Sequence, residues 1–402
     1  MTPDSPASSR RLAACAALGS IGGVGMWSVP VVLPAIQAEF AADRGGVSMA
    51  YTLTMLGFAG GGVLMGRLSD RFGVLVSTVL GVVLLAAGFA ATALAGSLWQ
   101  FVLLHGVLIG IGSSASFAPL LADISQWFVR RRGIAVALCA SGNYVAGTVW
   151  PPVIERAVAM AGWRATYLGI ALFCAVSMLC LSVALRRRTP NIAQSAAATD
   201  RSPASLGLSP AVVQALLLVA GLACCVAMAM PQVHIVAYCG DLGYGPARGS
   251  EMLSLMLGFG IISRIGSGFM ADRIGGIPTL LLGSVLQGVA LILYLQFDSL
   301  TSLYVISALF GLFQGGIVPS YAIVVREIFP AREAGTRVGL TLMATLVGMA
   351  LGGWMSGAID DLTGSYHAAF GNGVLWNAIN VSIVLTLLLR SKTWFHRLTP
   401  AR

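Results

Sequence analysis

The sequence predicts an all-α membrane protein of twelve transmembrane helices, arranged as two pseudo-symmetric six-helix bundles. Three observations carry this. The chain is 57% hydrophobic and only 10% charged, whereas a soluble domain carries about 25% charged residues. Its apolar runs are about 20 residues long, the length at which a helix crosses a hydrocarbon core of about 30 Å. The eight residues Gly66-Arg-Leu-Ser-Asp-Arg-Phe-Gly73 return as Gly268-Phe-Met-Ala-Asp-Arg-Ile-Gly275, 202 positions later in a chain of 402.

Lipid, not water, is the main solvent of such a chain. There the backbone must satisfy its own N–H and C=O groups, so the choice lies between helices and a closed barrel. Continuous runs, rather than alternating strands of about ten residues, select helices. Apolar runs set against charged and Gly/Pro breaks give spans at 12–36, 47–66, 75–96, 99–124, 133–159 and 165–186. Six more follow at 210–238, 249–271, 277–297, 300–326, 335–359 and 368–390. The one long polar segment, 187–209, lies midway and holds Thr189-Pro190, three successive alanines and Ser202-Pro203. It reads as a cytoplasmic linker between an N-terminal bundle over 1–186 and a C-terminal bundle over 210–402. The fourth and tenth spans echo each other through Pro119 and Pro319, each followed by aromatic residues and a basic loop.

The net charge of +9 is distributed as a topology signal. With the N-terminus inside, 19 basic residues fall on the cytoplasmic side, while Arg44, Arg156, Arg164 and Arg248 fall outside. That bias places both termini in the cytoplasm and makes nucleic acid an unsuitable partner. The first apolar stretch has no Ala-x-Ala cleavage pattern and is long enough to span, so it reads as a retained helix. The seven cysteines show no metal-ligand spacing and read as buried free thiols.

The paired Gly-x-x-x-Asp-Arg-x-Gly turns, with this span count, resemble the major facilitator superfamily of secondary transporters over about 12–390. That family carries the pattern between helices 2 and 3, with a weaker copy between helices 8 and 9. Its trailing basic residues are replaced here by Val74-Leu75 and Gly276-Ile277. The resemblance implies a conformational latch formed by Gly66, Asp70, Arg71 and Gly73 with Gly268, Asp272, Arg273 and Gly275. Gly66 would let two helices approach closely and Gly73 would support the turn. A narrower resemblance, to the monocarboxylate-transporter and oxalate/formate-antiporter branch, rests on three stretches. They are Trp127 to Gly147, Gly162-Trp163-Arg164, and Asp241-Leu-Gly243-Tyr leading into Ser263-Arg264-Ile-Gly266. The first span departs from that branch, since Gly22-Gly23-Val-Gly25-Met-Trp27 lacks the acidic start of the eukaryotic pattern.

One basic residue, Arg264, falls inside the eighth span. An arginine near the bilayer centre costs about 2.5–3.5 kcal/mol even on the lenient insertion scale. Its planar fork of donors fits a carboxylate bidentately. The resemblance implies that an arginine at this place binds the substrate carboxylate; pairing with an acidic residue of another helix is the structural alternative. Relatives that exchange oxalate add a lysine in helix 11, which this chain lacks, so one buried cation favours a monovalent anion. Candidate partners on other spans are Asn143 and Tyr144 in the fifth, Gln232 and His234 after Pro231 in the seventh, and Gln314 and Tyr321 in the tenth. Trp27 and Tyr51 offer an aromatic wall. For each of these, a polar contact between helices is the competing reading.

The function this predicts is secondary active transport of a small organic anion, most simply a monocarboxylate, across the inner membrane by alternating access. Proton symport and anion exchange both fit. Asp123, His105 and His234 are the groups that could titrate, and Asp123, close to the cytoplasmic end of its span, suits a gate or salt bridge better. An intramembrane enzyme lacks its ligand or nucleophile–base pairs, and an ATP-driven pump lacks the G-x-x-x-x-G-K-[ST] loop. A drug-efflux carrier calls for a buried carboxylate where Arg264 stands, and a transporter-like sensor calls for an added signalling domain. The implied partners are the anion, the lipid bilayer and, for symport, a proton. No cofactor or metal is called for, and a monomer suffices mechanically. Reporter fusions at the two termini are expected to give cytoplasmic signal at both; an external signal at either end overturns the twelve-span topology.

Overall fold

The computed structural model describes residues 6–128, 132–186 and 207–391. Most of the expected linker, the loop residues Arg130 and Arg131, and the basic tail from Lys392 lie outside the described residues. Every regular element among the described residues is a helix, and eleven helical stretches are long and apolar enough to cross a membrane. One of these, Ile134–Leu185, runs for 52 residues; at 1.5 Å per residue a straight helix of that length would reach about 78 Å, more than twice a hydrocarbon core. It turns at Gly162, whose φ of 78° and ψ of 162° are not helical. Just past that turn, Trp163 and Arg164 bond Glu39 at the end of the first stretch, whereas Ala184 accepts from Arg11 near its start. The chain has reversed, and twelve passes result.

We number them α1 (Pro6–Phe40), α2 (Arg44–Phe72), α3 (Val74–Ala93), α4 (Leu98–Trp127), α5 (134–161), α6 (163–185), α7 (Pro210–Asp241), α8 (Pro246–Ile274), α9 (Gly276–Gln296), α10 (Leu300–Ile328), α11 (Glu333–Thr363) and α12 (Tyr366–Arg390). Five of them open on a side-chain cap. The side chains of Asp43, Ser97, Ser209, Ser299 and Ser365 each accept a hydrogen bond from a backbone N–H in the first turn of the helix that follows. The two Asp-Arg turns share one backbone shape. Gly73 has φ 91° and ψ 158°, and Gly275 has φ 93° and ψ 165°. Only glycine takes this conformation without strain, which accounts for a glycine at the end of both copies. Below, the side carrying these turns is the turn face and the opposite side is the Arg44 face.

Three passes are interrupted. α1 breaks at Gly23, α4 at 115–117 and α10 at 315–316. The α4 and α10 breaks are equivalent under the internal repeat. A side chain on Gly22 of α1 would meet Ser116 in the α4 break, and in the other bundle Gln232 of α7 donates to Gln314 at the α10 break (3.0 Å). α4 also contains a π-helical turn, His105–Ile109, where His105 lies between the hydroxyls of Ser28 (3.1 Å) and Thr54 (2.9 Å).

Lipid tails are as apolar as leucine, so close packing and polar contacts hold the bundles together. A Cβ on Gly311 would stand 1.9 Å from the Met256 carbonyl oxygen. The expected close approach at Gly66 is not present in this conformation: nothing lies within 4 Å of a Cβ there, or at its repeat partner Gly268. The thiols are free as read from the sequence, but Cys180 is exposed while the other six are buried.

One fully buried ion pair ties α1 to α4. Arg11 Nε and Nη2 donate to the two carboxylate oxygens of Asp123 at 2.6 and 2.8 Å, and the guanidinium lies 4.6 Å from the Trp127 ring. Removing one partner of such a pair leaves an uncompensated buried charge, at a cost of about 3–5 kcal/mol. Arg11→Ala is therefore expected to lower the thermal unfolding midpoint in detergent strongly. The double variant Arg11→Leu/Asp123→Leu is expected to recover much of the loss.

Candidate functional site

The two bundles meet along two antiparallel seams. In the first, α5 lies on α8: Ser254 donates to the Thr148 carbonyl, and Leu257 fills the space beside Gly147. The Tyr144 ring fills the space beside Gly260, and Arg264 Nη1 reaches the Ala140 carbonyl at 3.4 Å. In the second, α2 lies on α11. Gly45 N–H donates to Asp361 (2.7 Å), Tyr51 packs on Gly353, and Thr52 donates to the Ala350 carbonyl (2.8 Å). An internal two-fold relating each residue to one about 202 positions later interconverts the two registers.

The seams differ in how far they run. Among the described residues the hydrogen bonds of α2 with α11 run no further than Thr52 and Ala350, and beyond them Gly60, Gly62 and Gly66 of α2 and Gly335 and Gly339 of α11 face open space. By the repeat, Thr52 corresponds to Ser254 of α8. The α5–α8 seam continues from Ser254 to Arg264, about 15 Å further at 1.5 Å per residue. The molecule is therefore closed toward the Arg44 face and open toward the turn face. Asp70, Arg71 and Asp272 of the paired turns are exposed, and among the described residues Asp70 and Asp272 make no ion pair.

Arg264 sits at the inner end of the longer seam. Its guanidinium lies 4.2 Å from the centroid of the Tyr144 ring, and its Nε is buried without a hydrogen-bond partner. No carboxylate pairs with it among the described residues. A cation–π contact contributes about 0.5–2 kcal/mol and does not satisfy an N–H donor in a medium of low dielectric. On the α1 side of α5, Trp27 Nε1 donates to the Asn143 carbonyl (3.2 Å), and the Asn143 side chain lies against Gly23, where α1 breaks. Chemically, this arrangement presents an arginine with one edge on a carbonyl, one face on a ring and an unpaired donor.

The other sequence candidates lie elsewhere. Gln314 is fully buried and its Nε2 has no partner. Tyr321 donates to Asn380 (2.7 Å), which in turn donates to Ser284 (2.8 Å) inside the C-terminal bundle. Tyr51 and His234 belong to the α2–α11 seam. A cavity of about 660 Å³ between α5 and α6, lined by Val149, Trp150, Val153, Ile170 and Phe173 among others, is almost wholly apolar and does not include Arg264.

Toward the Arg44 face the α2–α11 seam ends in a charged cluster that sequence reasoning missed. Arg44 pairs with Asp241 at the end of α7 and lies 3.4 Å from Asp360 of α11. The adjacent Asp361 accepts from the backbone N–H groups of Arg44 (2.9 Å) and Gly45 (2.7 Å), and so caps α2 from the opposite bundle. The Arg44 guanidinium stands 5.0 Å from the Tyr366 ring. No spacing in the sequence signals that residues 44, 241 and 361 meet; only the doubled Asp360-Asp361 at a helix end hints at a capping role.

The sequence model of the Major Facilitator Superfamily matches residues 15–284 and 240–402. Monocarboxylate transporter 13 of Bos taurus is 28% identical over 326 residues, covering 77% of this chain and 74% of that one. The MFS transporter asaE of Aspergillus flavus is 26% identical over 322 residues, covering 78% and 71%. Among solved structures, a bacterial homologue of the human lysosomal transporter Spinster, in an inward-facing and occupied conformation, superposes with a TM-score of 0.72 at 14% identity, covering 99% of this chain and 100% of that one. A peptide transporter in complex with alafosfalin gives 0.74 at 14% identity, covering 95% of each. At that identity the two structures speak for the fold alone.

Each hydrogen bond to a carboxylate contributes about 1.5–3 kcal/mol, and Asp361 accepts two across the seam. Asp361→Ala is therefore expected to loosen the Arg44 face. In a Cys180→Ser background, a cysteine replacing the fully buried Ser48 should react with a thiol reagent about tenfold faster once Asp361 is lost. An unchanged rate would show that the cap does not hold the seam.

Proposed function

The chain belongs to the Major Facilitator Superfamily, and from that premise we propose that it carries a small organic anion, most simply a monocarboxylate, through the membrane by alternating access. The observation that carries this reading is Arg264: a cation inside a membrane span, with a buried Nε that has no partner and, among the described residues, no carboxylate bonded to it. A substrate carboxylate supplies both missing elements, the acceptor and the countercharge. The similarity to a protein named monocarboxylate transporter 13 supports the same class of substrate. Tyr144 holds the face of the guanidinium, while Trp27 and Asn143 line the adjoining wall where α1 breaks. Gln232 and Gln314, in the same bundle as Arg264, offer further polar groups to the substrate.

In this reading the turn face is cytoplasmic, in keeping with its excess of arginine. The paired turns form the latch on that side, with Gly66, Asp70, Arg71 and Gly73 meeting Gly268, Asp272, Arg273 and Gly275 when the Arg44 face opens. Their exposure in a conformation open on their own side fits that role. Proton symport and exchange remain alternatives within the proposal, and substrate loading separates them.

Radiolabelled uptake into proteoliposomes, across a panel of short carboxylates with and without an inward proton gradient, tests the proposal. Saturable uptake that is lost in Arg264→Gln while expression and fold persist is the expected result, with Arg264→Lys at an intermediate level because it keeps the charge and loses the fork. Stimulation by the gradient indicates symport, and uptake only into anion-preloaded vesicles indicates exchange. Wild-type uptake in Arg264→Gln would overturn the anchoring role.

A further inference from the structure

We propose that His234 is a proton-binding site that biases the gate on the Arg44 face, with the neutral imidazole closing the gate and the protonated one opening it. This goes beyond the substrate reading and holds whatever is carried.

His234 is fully buried in α7. Its Nε2 lies 2.8 Å from the Gly353 carbonyl, and a carbonyl only accepts, so Nε2 bears the hydrogen. Nδ1, 3.0 Å from the Tyr366 hydroxyl, is then the lone pair of a neutral ring and accepts from that hydroxyl. The other side of this contact is the gate: the Tyr366 ring lies 5.0 Å from the Arg44 guanidinium, which pairs with Asp241 and Asp360. Tyr51 of α2 packs on Gly353, the residue whose carbonyl fixes the His234 tautomer. The imidazole is thus one tyrosine away from the residue that clasps the two bundles.

A second proton on the ring turns Nδ1 into a donor. The Tyr366 hydroxyl must then give up its own bond and point elsewhere, and a second cation sits close to Arg44 in a dry seam. The charged and titratable groups around this ring are Arg44 and Tyr51 from α2, Tyr238 and Asp241 from α7, Asp360 and Asp361 from α11, and Tyr366 from α12. His367, also on α12, is exposed. Opening admits water and withdraws Arg44 with its own bundle, so the open form binds the proton more tightly. By linkage the proton then shifts the population toward the open form. The closed gate is fully supported above the ordinary imidazole range, about pH 6.5, and loses support as the pH falls below it.

Double electron–electron resonance on the full chain in nanodiscs tests this, with spin labels at Gly96→Cys and Leu362→Cys in a Cys180→Ser background. Both label sites are exposed at the Arg44 face. Between pH 7.5 and 5.5 the longer-distance population is expected to rise at least threefold. The response should vanish in His234→Gln, whose amide can replace both hydrogen bonds without titrating, and persist in His367→Gln. A flat wild-type response, or an unchanged response in His234→Gln, overturns the proposal. If His234→Gln does not fold, Tyr366→Phe decides. Removing the donor that the neutral ring accepts should raise the midpoint, and an unmoved midpoint counts against the proposal.

Discussion

Two bundles that must part and rejoin inside lipid cannot be held together by hydrophobicity, because the hydrocarbon offers each apolar face as good a partner as the other bundle does. Everything specific about this molecule follows from that constraint. The seams are built from backbone brought close and from a few polar clasps. Gly353 and Gly357 let α11 lie against Tyr51 and Arg44, and Gly147 and Gly260 do the same for α5 and α8. The clasps are placed where they can be wetted on opening: Asp361 on the first N–H groups of α2, and Arg44 on Asp241. A seam of leucines would pack without supplying these direction-specific contacts.

Much of the architecture was legible in the sequence because lipid imposes its own grammar. The length of the apolar runs fixed the passes, and the doubled Asp-Arg turn exposed the repeat, with Gly73 and Gly275 confirming it through one shared backbone shape. Arg264 stood out because a lone cation in a span has no cheap explanation. The contacts between bundles were not legible. Arg44 and Asp241 are 197 positions apart and Arg44 and Asp361 are 317 apart, and each reads by itself as an ordinary charge at a helix end. His234 and Tyr51 were noticed as polar or aromatic residues in spans, but nothing in their own segments tells a seam from a cavity. Gly66 reads as a site of close approach, yet in this conformation it and its repeat partner Gly268 both face open space. A repeat reports that two halves are alike and says nothing about which ends are touching.

The internal two-fold makes the difference between the seams informative. Were the halves strictly equivalent, α2–α11 and α5–α8 would close to the same depth. They do not: the first parts beyond Thr52 and Ala350, while the second stays closed to Arg264. At the position equivalent to Arg264, α2 carries Gly62, which faces open space. The repeat has thus kept its geometry while the two copies diverged in chemistry, one seam keeping a cation and an aromatic ring where the other keeps none.

That divergence bears on how a single charge can serve as both binding group and mechanical part. In the present conformation Arg264 belongs to α8 of one bundle and rests on Tyr144 and Ala140 of the other. The contact is a weak one for a guanidinium, since a ring face and one long carbonyl bond leave Nε without an acceptor. An anion arriving there competes with the α5–α8 seam for the same donors. Any gain in binding the anion is therefore set against the loss of a contact between the bundles, which is the differential interaction a ligand needs in order to shift a conformational equilibrium. A fully satisfied arginine, paired with a carboxylate of its own, would hold the same place in the fold but leave the ligand far less to change.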